Sequence, residues 1–179
     1  MVDSTRADRF KTEVIQHLDA AYNLARWLTR NGQDAEDVVQ EAYLRAYKYF
    51  DGFRGGNIKP WLLTIVRNTA YTWMQQNRAS DTDIVPDDEL NSLASPDLSP
   101  ETAMIQNIDK EVISKALAAL PAEYREILVL RELEELSYKE IADIADLPVG
   151  TVMSRLSRAR KRLQQYLTGD SSLEATNGK

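Results

Sequence analysis

Cysteine is absent from the 179 residues, which excludes disulfides, thiolate metal sites and cysteine nucleophiles together. Histidine is nearly absent: His17 stands alone and cannot supply a metal cluster. It reads as a helix residue at the edge of a core rather than as a catalytic base. No metal and no cofactor is therefore expected. Also lacking is any run of about 18 apolar residues, so no segment is built to span a bilayer. The first residues, Met1 to Arg9, are polar and lack the apolar stretch of a signal peptide. These absences point to a cytoplasmic chain with no membrane insertion. The acids are scattered without a pocket signature, which gives an enzyme reading little support. Neither strand alternation nor an internal repeat is found.

What is present is enough apolar residue, 43%, to build cores. The net charge of −6 argues at first against nucleic acid, but its distribution matters more than its sum. Nine acids and one base lie between Ser80 and Glu111, whereas Pro148 to Leu163 holds five bases (Arg155, Arg158, Arg160, Lys161, Arg162) and no acid.

Helical periodicity runs through Phe10, Val14, Leu18, Ala21, Ala25 and Leu28, predicting one helix from about Phe10 to Thr29 that ends at the Asn31-Gly32 pair. Asp34 reads as the N-cap of a second helix, with Glu36 and Asp37 in its first turn and Val39, Tyr43, Ala46 and Phe50 on its inner face. After the glycine-rich break at 51–57, Pro60 suits the first position of a third helix running to about Arg78. Trp61 and Trp73 on that helix read as core. Residues from about Ala79 to Pro100 carry three prolines, many acids and serines, and no period, which is the composition of a flexible linker.

Periodicity returns at Ile105, Ile108, Val112, Ala116 and Leu120, and Pro121 opens a further helix carrying Tyr124, Ile127, Leu128 and Leu130. Ser137-Tyr138-Lys139-Glu140 is a capping box ahead of Ile141, Ala142, Ile144 and Ala145. A short turn at Asp146-Leu147-Pro148 leads to a last helix from about Val149 to Tyr166. The fold class is all-α: two small helical domains, residues 8–79 and 104–168, joined by an acidic linker at 80–103.

The stretch Ser137–Arg162 has the anatomy of a helix-turn-helix, with Ala142 small enough for the second helix to cross closely. Val149, Val152, Leu156 and Leu163 should face the core. That leaves Thr151, Ser154, Arg155, Arg158 and Arg162 for the major groove. A basic amphipathic helix is more often a solvated face. The capping box, the small crossing residue and the lack of acids favour DNA binding here.

Pro148-Val149-Gly150-Thr151-Val152-Met153-Ser154-Arg155-Leu156-Ser157-Arg158-Ala159-Arg160 resembles the region 4 recognition helix of extracytoplasmic-function (ECF) sigma factors, of the sigma-70 family. Leu120-Pro121-Ala122-Glu123-Tyr124-Arg125-Glu126-Ile127-Leu128 and Leu136–Ala142 are similar to the segments before it. Asp34-Ala35-Glu36-Asp37-Val38-Val39-Gln40-Glu41-Ala42-Tyr43 looks like region 2.2, while Phe53–Gly56 and Trp61–Ala70 look like regions 2.3 and 2.4. The resemblance covers about Phe10 to Leu167.

It implies a sigma factor of regions 2 and 4 only, which binds core RNA polymerase through the β′ clamp helices and the β flap. Such a protein directs polymerase to −35 and −10 promoter elements and helps to melt the latter, with an anti-sigma factor as its usual regulator. Carried residue by residue, it assigns Asp37, Gln40, Glu41, Leu44 and Arg45 to polymerase. Arg54, Asn57, Lys59, Arg67, Asn68, Tyr71, Thr72 and Gln75 fall to the −10 element, with Asn68 the foremost candidate for a base contact. Holding unpaired bases calls for a loop, stacking groups and cations, which these residues supply. Met153 and Ser157 depart from relatives that place longer polar or aromatic groups there, and the loop from Phe53 to Trp61 is about one residue shorter than in many. Two rival readings share the helix-turn-helix: a repressor acting without polymerase, and a sigma mimic that sequesters an anti-sigma factor. The 34–50 and 61–78 segments argue against the first, and Arg155 and Arg158 against the second.

Overall fold

The computed structural model describes residues 2–77 and 100–169, with side chains from Ser4 to Asn77 and from Asp109 to Gly169. The expected linker at 80–103 falls almost wholly outside the described residues. Eight α-helices and no strand are found among them. The first unit holds α1 (Val2–Val14), α2 (Leu18–Thr29), α3 (Gly32–Tyr49) and α4 (Ile58–Gln76). The second holds α5 (Pro100–Ala119), α6 (Ala122–Leu128), α7 (Tyr138–Ala145) and α8 (Val149–Thr168).

The single helix expected from Phe10 to Thr29 is instead two, broken by a tight 3-10 turn at Ile15–His17. The break lets Phe10 and Val14 turn inward together with Ala21, Leu24, Ala25 and Leu28. α1 also starts well before Phe10, because Arg6 ties it down: its guanidinium donates to the Tyr47 carbonyl at 2.7 Å and lies 4.5 Å from that ring. Phe10 meets the rings of Tyr47 and Phe50 edge-on, at 5.1 and 5.3 Å. Such aromatic contacts add to what area burial alone contributes.

The cap of α3 is Asn31, not Asp34. The Asn31 side chain accepts from the Asp34 backbone N–H, which places Asp34 inside the first turn, and the left-handed residue ending α2 is Arg30. For α4 the cap is Asn57, whose side chain accepts from the Lys59 N–H at 3.2 Å. Pro60 is thus the third helical residue rather than the first, still within the turn whose N–H groups lack intrahelical partners. The helix stops at Gln76, short of Arg78. Trp61 and Trp73 do pack on the core.

In the second unit Leu117, Leu120, Ile127, Leu130, Ile141, Ile144, Val152, Leu156 and Ala159 form the interior. The capping box of Ser137 and Glu140 is present in both directions. Val149, expected to face the core, is 42% exposed, and Val112, which fits the helical period, is 46% exposed, whereas Ala142 and Ala159 are both buried. α6 runs on through a π turn at Val129–Leu133, after which Glu135 takes a left-handed conformation. The wider turn ends with Glu134, which is buried against the first unit. The two units are in contact, with α4 against α7 and α2 against α6 and the π turn.

Candidate nucleic-acid interface

The three sets of side chains on α8, α3 and α4 differ in what surrounds them. On α8, Ser154, Arg158 and Arg162 are exposed, while Thr151 and Arg155 are half-buried. The Arg155 guanidinium comes within 4.0 Å of the Glu123 carboxylate, and that of Arg162 lies 5.0 Å from the Tyr124 ring. Arg160 points the other way and donates twice to Glu132, at 2.9 and 2.6 Å. That pair braces α8 against the π turn. The exposed arginines are left as a cationic stripe on a helix held by its apolar side.

On α3, Asp37, Gln40, Glu41 and Leu44 are exposed, and Leu44 is 68% accessible. Arg45 pairs with Glu41 one turn earlier. The opposite face of α3 buries Ala35, Val38, Val39, Ala42 and Ala46. A solvent-facing leucine within a polar stripe is thus a consequence of helical geometry, with the core elsewhere.

The set on and before α4 is split. Arg54, Asn68, Thr72 and Gln75 are exposed. The Thr72 hydroxyl donates to the Asn68 carbonyl at 3.0 Å, an ordinary i−4 contact that leaves the Asn68 amide to solvent. Asn57, Lys59, Arg67 and Tyr71 instead meet carboxylates of the second unit. Arg67 donates to Glu126 and lies 4.3 Å from the Tyr71 ring, and the Tyr71 hydroxyl donates to the other Glu126 oxygen at 2.9 Å. Glu126 is fully buried. Lys59 pairs with Glu134 at 3.0 Å and also donates to its carbonyl at 3.2 Å. Asn57 reaches Glu140 at 3.4 Å, and Asn23 on α2 reaches Glu134 at 3.4 Å.

The electrostatics follow from this packing. Burial pushes the Tyr71 hydroxyl well above the usual phenol range, and the adjacent Glu126 carboxylate adds to it. Burial alone would lower the Arg67 pKa, but its hydrogen bond and attraction to Glu126 more than offset that and raise it. His17 is lowered, first by burial and then by Lys59, with Glu134 opposing.

Glu126, Glu134 and Glu140 had not been singled out as site residues. The signal open to sequence reasoning was Glu126 itself, an acid directly before the apolar run Ile127–Leu130. Acids are rarely fully buried unless paired.

Two family models match: sigma-70 region 2 over residues 14–80 and sigma-70 region 4 over residues 110–163. The ECF RNA polymerase sigma-E factor of Haemophilus influenzae is 38% identical over 151 residues, 80% of this chain and 79% of that one. Its Escherichia coli counterpart is 40% identical, over 73% of this chain and 72% of its own length. The chain belongs to the ECF sigma factors of the sigma-70 family. Membership makes it an initiation factor and not an enzyme.

Among solved structures, the sigma factor RpoE of Bartonella quintana, in complex with the anti-sigma factor NepR, is 34% identical. It aligns with a TM-score of 0.69, covering 90% of this chain and 98% of its own. CnrH, solved with the cytosolic domain of CnrY, shares the fold at 24% identity, with a TM-score of 0.64 over 90% of this chain. The region 2 match spans α2–α4, and the region 4 match runs from within α5 into α8. No helix among the described residues is long and apolar enough to cross a membrane.

Proposed function

We propose that this ECF sigma factor binds core RNA polymerase in the cytoplasm, brings it to promoters with −35 and −10 elements, and holds the melted −10 strand. The observation that carries this reading is the presence, in one chain, of two helices with cationic or polar outer faces on separate packed units. α8 presents Thr151, Ser154, Arg155, Arg158 and Arg162 at the usual position of a recognition helix. The loop and helix of region 2 contribute Arg54, Asn57, Lys59, Arg67, Asn68, Tyr71, Thr72 and Gln75, a mixture of cations, amides and one stacking ring. Neither unit needs to bind tightly alone, because one protein carrying both raises the effective concentration of each at the promoter.

Asp37, Gln40, Glu41, Leu44 and Arg45 form the docking stripe for the β′ clamp helices, and region 4 meets the β flap. An anti-sigma factor controls access to these faces, as NepR binds the Bartonella relative. The test is transcription by purified core polymerase on a genomic DNA library, with start sites sequenced. Starts sharing two upstream elements at fixed spacing, dependent on this protein, are the expected result. Tight duplex binding without any association with core polymerase would sink the reading.

A further inference from the structure

Four of the eight residues given to the −10 strand already have partners, and those partners are acids of region 4. Arg67 and Tyr71 converge on the two oxygens of Glu126, Lys59 holds Glu134, and Asn57 reaches Glu140. A carboxylate held by a guanidinium and a phenol offers the same anionic oxygens as a backbone phosphate. Both kinds of oxygen compete for one set of donors. Glu126 is also fully enclosed, so a DNA strand cannot reach Arg67 and Tyr71 while it stays in place.

We infer that the chain masks its own −10 face: Glu126 and Glu134 of region 4 stand in for promoter phosphates and latch the two regions together, with no partner protein required. This rests on the −10 assignment proposed above and adds to it an internal competitor. A further element joins the latch, since Asn23 of α2 also reaches Glu134, and α4 lies against α7. The Bartonella relative, solved with its anti-sigma factor, aligns over 90% of this chain, both units included. Binding of core polymerase or DNA must then be paid for by separating the units, and apparent DNA affinity falls by the fraction of open chain.

The chain contains no cysteine, so Glu36→Cys on α3 and Lys139→Cys on α7, both exposed, accept spin labels at those two sites alone. In the free labelled protein, pulsed electron spin resonance should give one short inter-unit distance. Introducing Glu126→Gln with Glu134→Gln should shift the distribution to longer distances. It should also tighten binding of a mixed-sequence single-stranded DNA pool, read by anisotropy, by about tenfold if open chain is about a tenth of the total. Saturating the unmutated labelled protein with the same DNA should lengthen the distance too, which tests the latch without touching a buried acid. An unchanged distance in the double variant, or a short distance in the DNA-saturated protein, overturns the latch.

An opened variant that binds DNA no better overturns the masking. Holoenzyme carrying Arg67→Ala then separates the two readings. Impaired promoter opening leaves the −10 assignment standing without the mask, and unimpaired opening removes both.

Discussion

Arg158 projects into solvent from α8, whereas Arg155, one turn earlier, is half-buried with Glu123 at 4.0 Å. The exposed arginine is the better placed for a base edge. Arg158→Ala should weaken duplex promoter binding by about 1–3 kcal/mol and relax selectivity at one position, measured across a panel of single-base variants. A uniform loss over the panel would make it a phosphate contact. Asn68 is exposed on α4 with its amide unengaged by the neighbouring helix. Asn68→Ala should therefore weaken binding to a pre-melted promoter about as much as it impairs opening of a linear one. A loss confined to opening would mean that Asn68 acts on strand separation and not on the unpaired base.

His17 allows a third measurement at this scale, since one histidine gives one imidazole titration by NMR. Burial first, and then Lys59, hold its pKa below 6.5 in the folded chain. A proton therefore binds the unfolded chain more readily. The stabilising contribution is present above 6.5 and is lost as pH falls through 6.5 towards the folded value. A titration midpoint below 6.5 is expected, together with a loss of urea stability on acidification that is smaller in His17→Gln.

At the scale of elements, legibility followed locality. The Ser137–Glu140 box is a signal four residues long, and it stands in the structure with both hydrogen bonds in place, at 3.2 and 3.1 Å. Ser137→Ala should cost about 1 kcal/mol in denaturant unfolding, since the Glu140 N–H loses its acceptor. It should weaken −35 binding further, because α7 sets the angle of α8. The caps of α3 and α4 were harder to place. Asn31, Asp34, Asn57 and Pro60 all suit helix starts, and only the backbone shows that both asparagines take the cap. Val112 and Val149 fit a helical period but lie at the edges of the inner stripe, where period alone does not decide burial. The candidate site was half legible. Its cations, amides and ring could be chosen from residue type and spacing, but the partners of Lys59, Arg67 and Tyr71 lie 55 to 75 residues along the chain from them. No local pattern marks an ion pair across such a separation.

At the scale of the whole molecule, the net charge of −6 conceals a chain whose cations and acids are sorted and then brought together. Region 2 supplies Lys59 and Arg67, region 4 supplies Glu126 and Glu134, and the pairs are largely shielded from water. Ion pairs of this kind are screened less than exposed ones, but opening the units exposes all four charges to salt. Salt then acts twice on DNA binding by the free protein. It weakens the protein–phosphate contacts, with log K falling by about 0.7 per neutralised phosphate of a single strand for each unit of log salt. It also favours the open form, in which those contacts become available. The two effects oppose each other in the native chain. In Glu126→Gln with Glu134→Gln only the first remains. Single-stranded DNA titrations at several salt concentrations should therefore give a shallower slope for the native chain than for the double variant, with the two converging at high salt. Parallel slopes would mean that the units already stand apart in solution, and that the charges of region 4 do not compete for the −10 face.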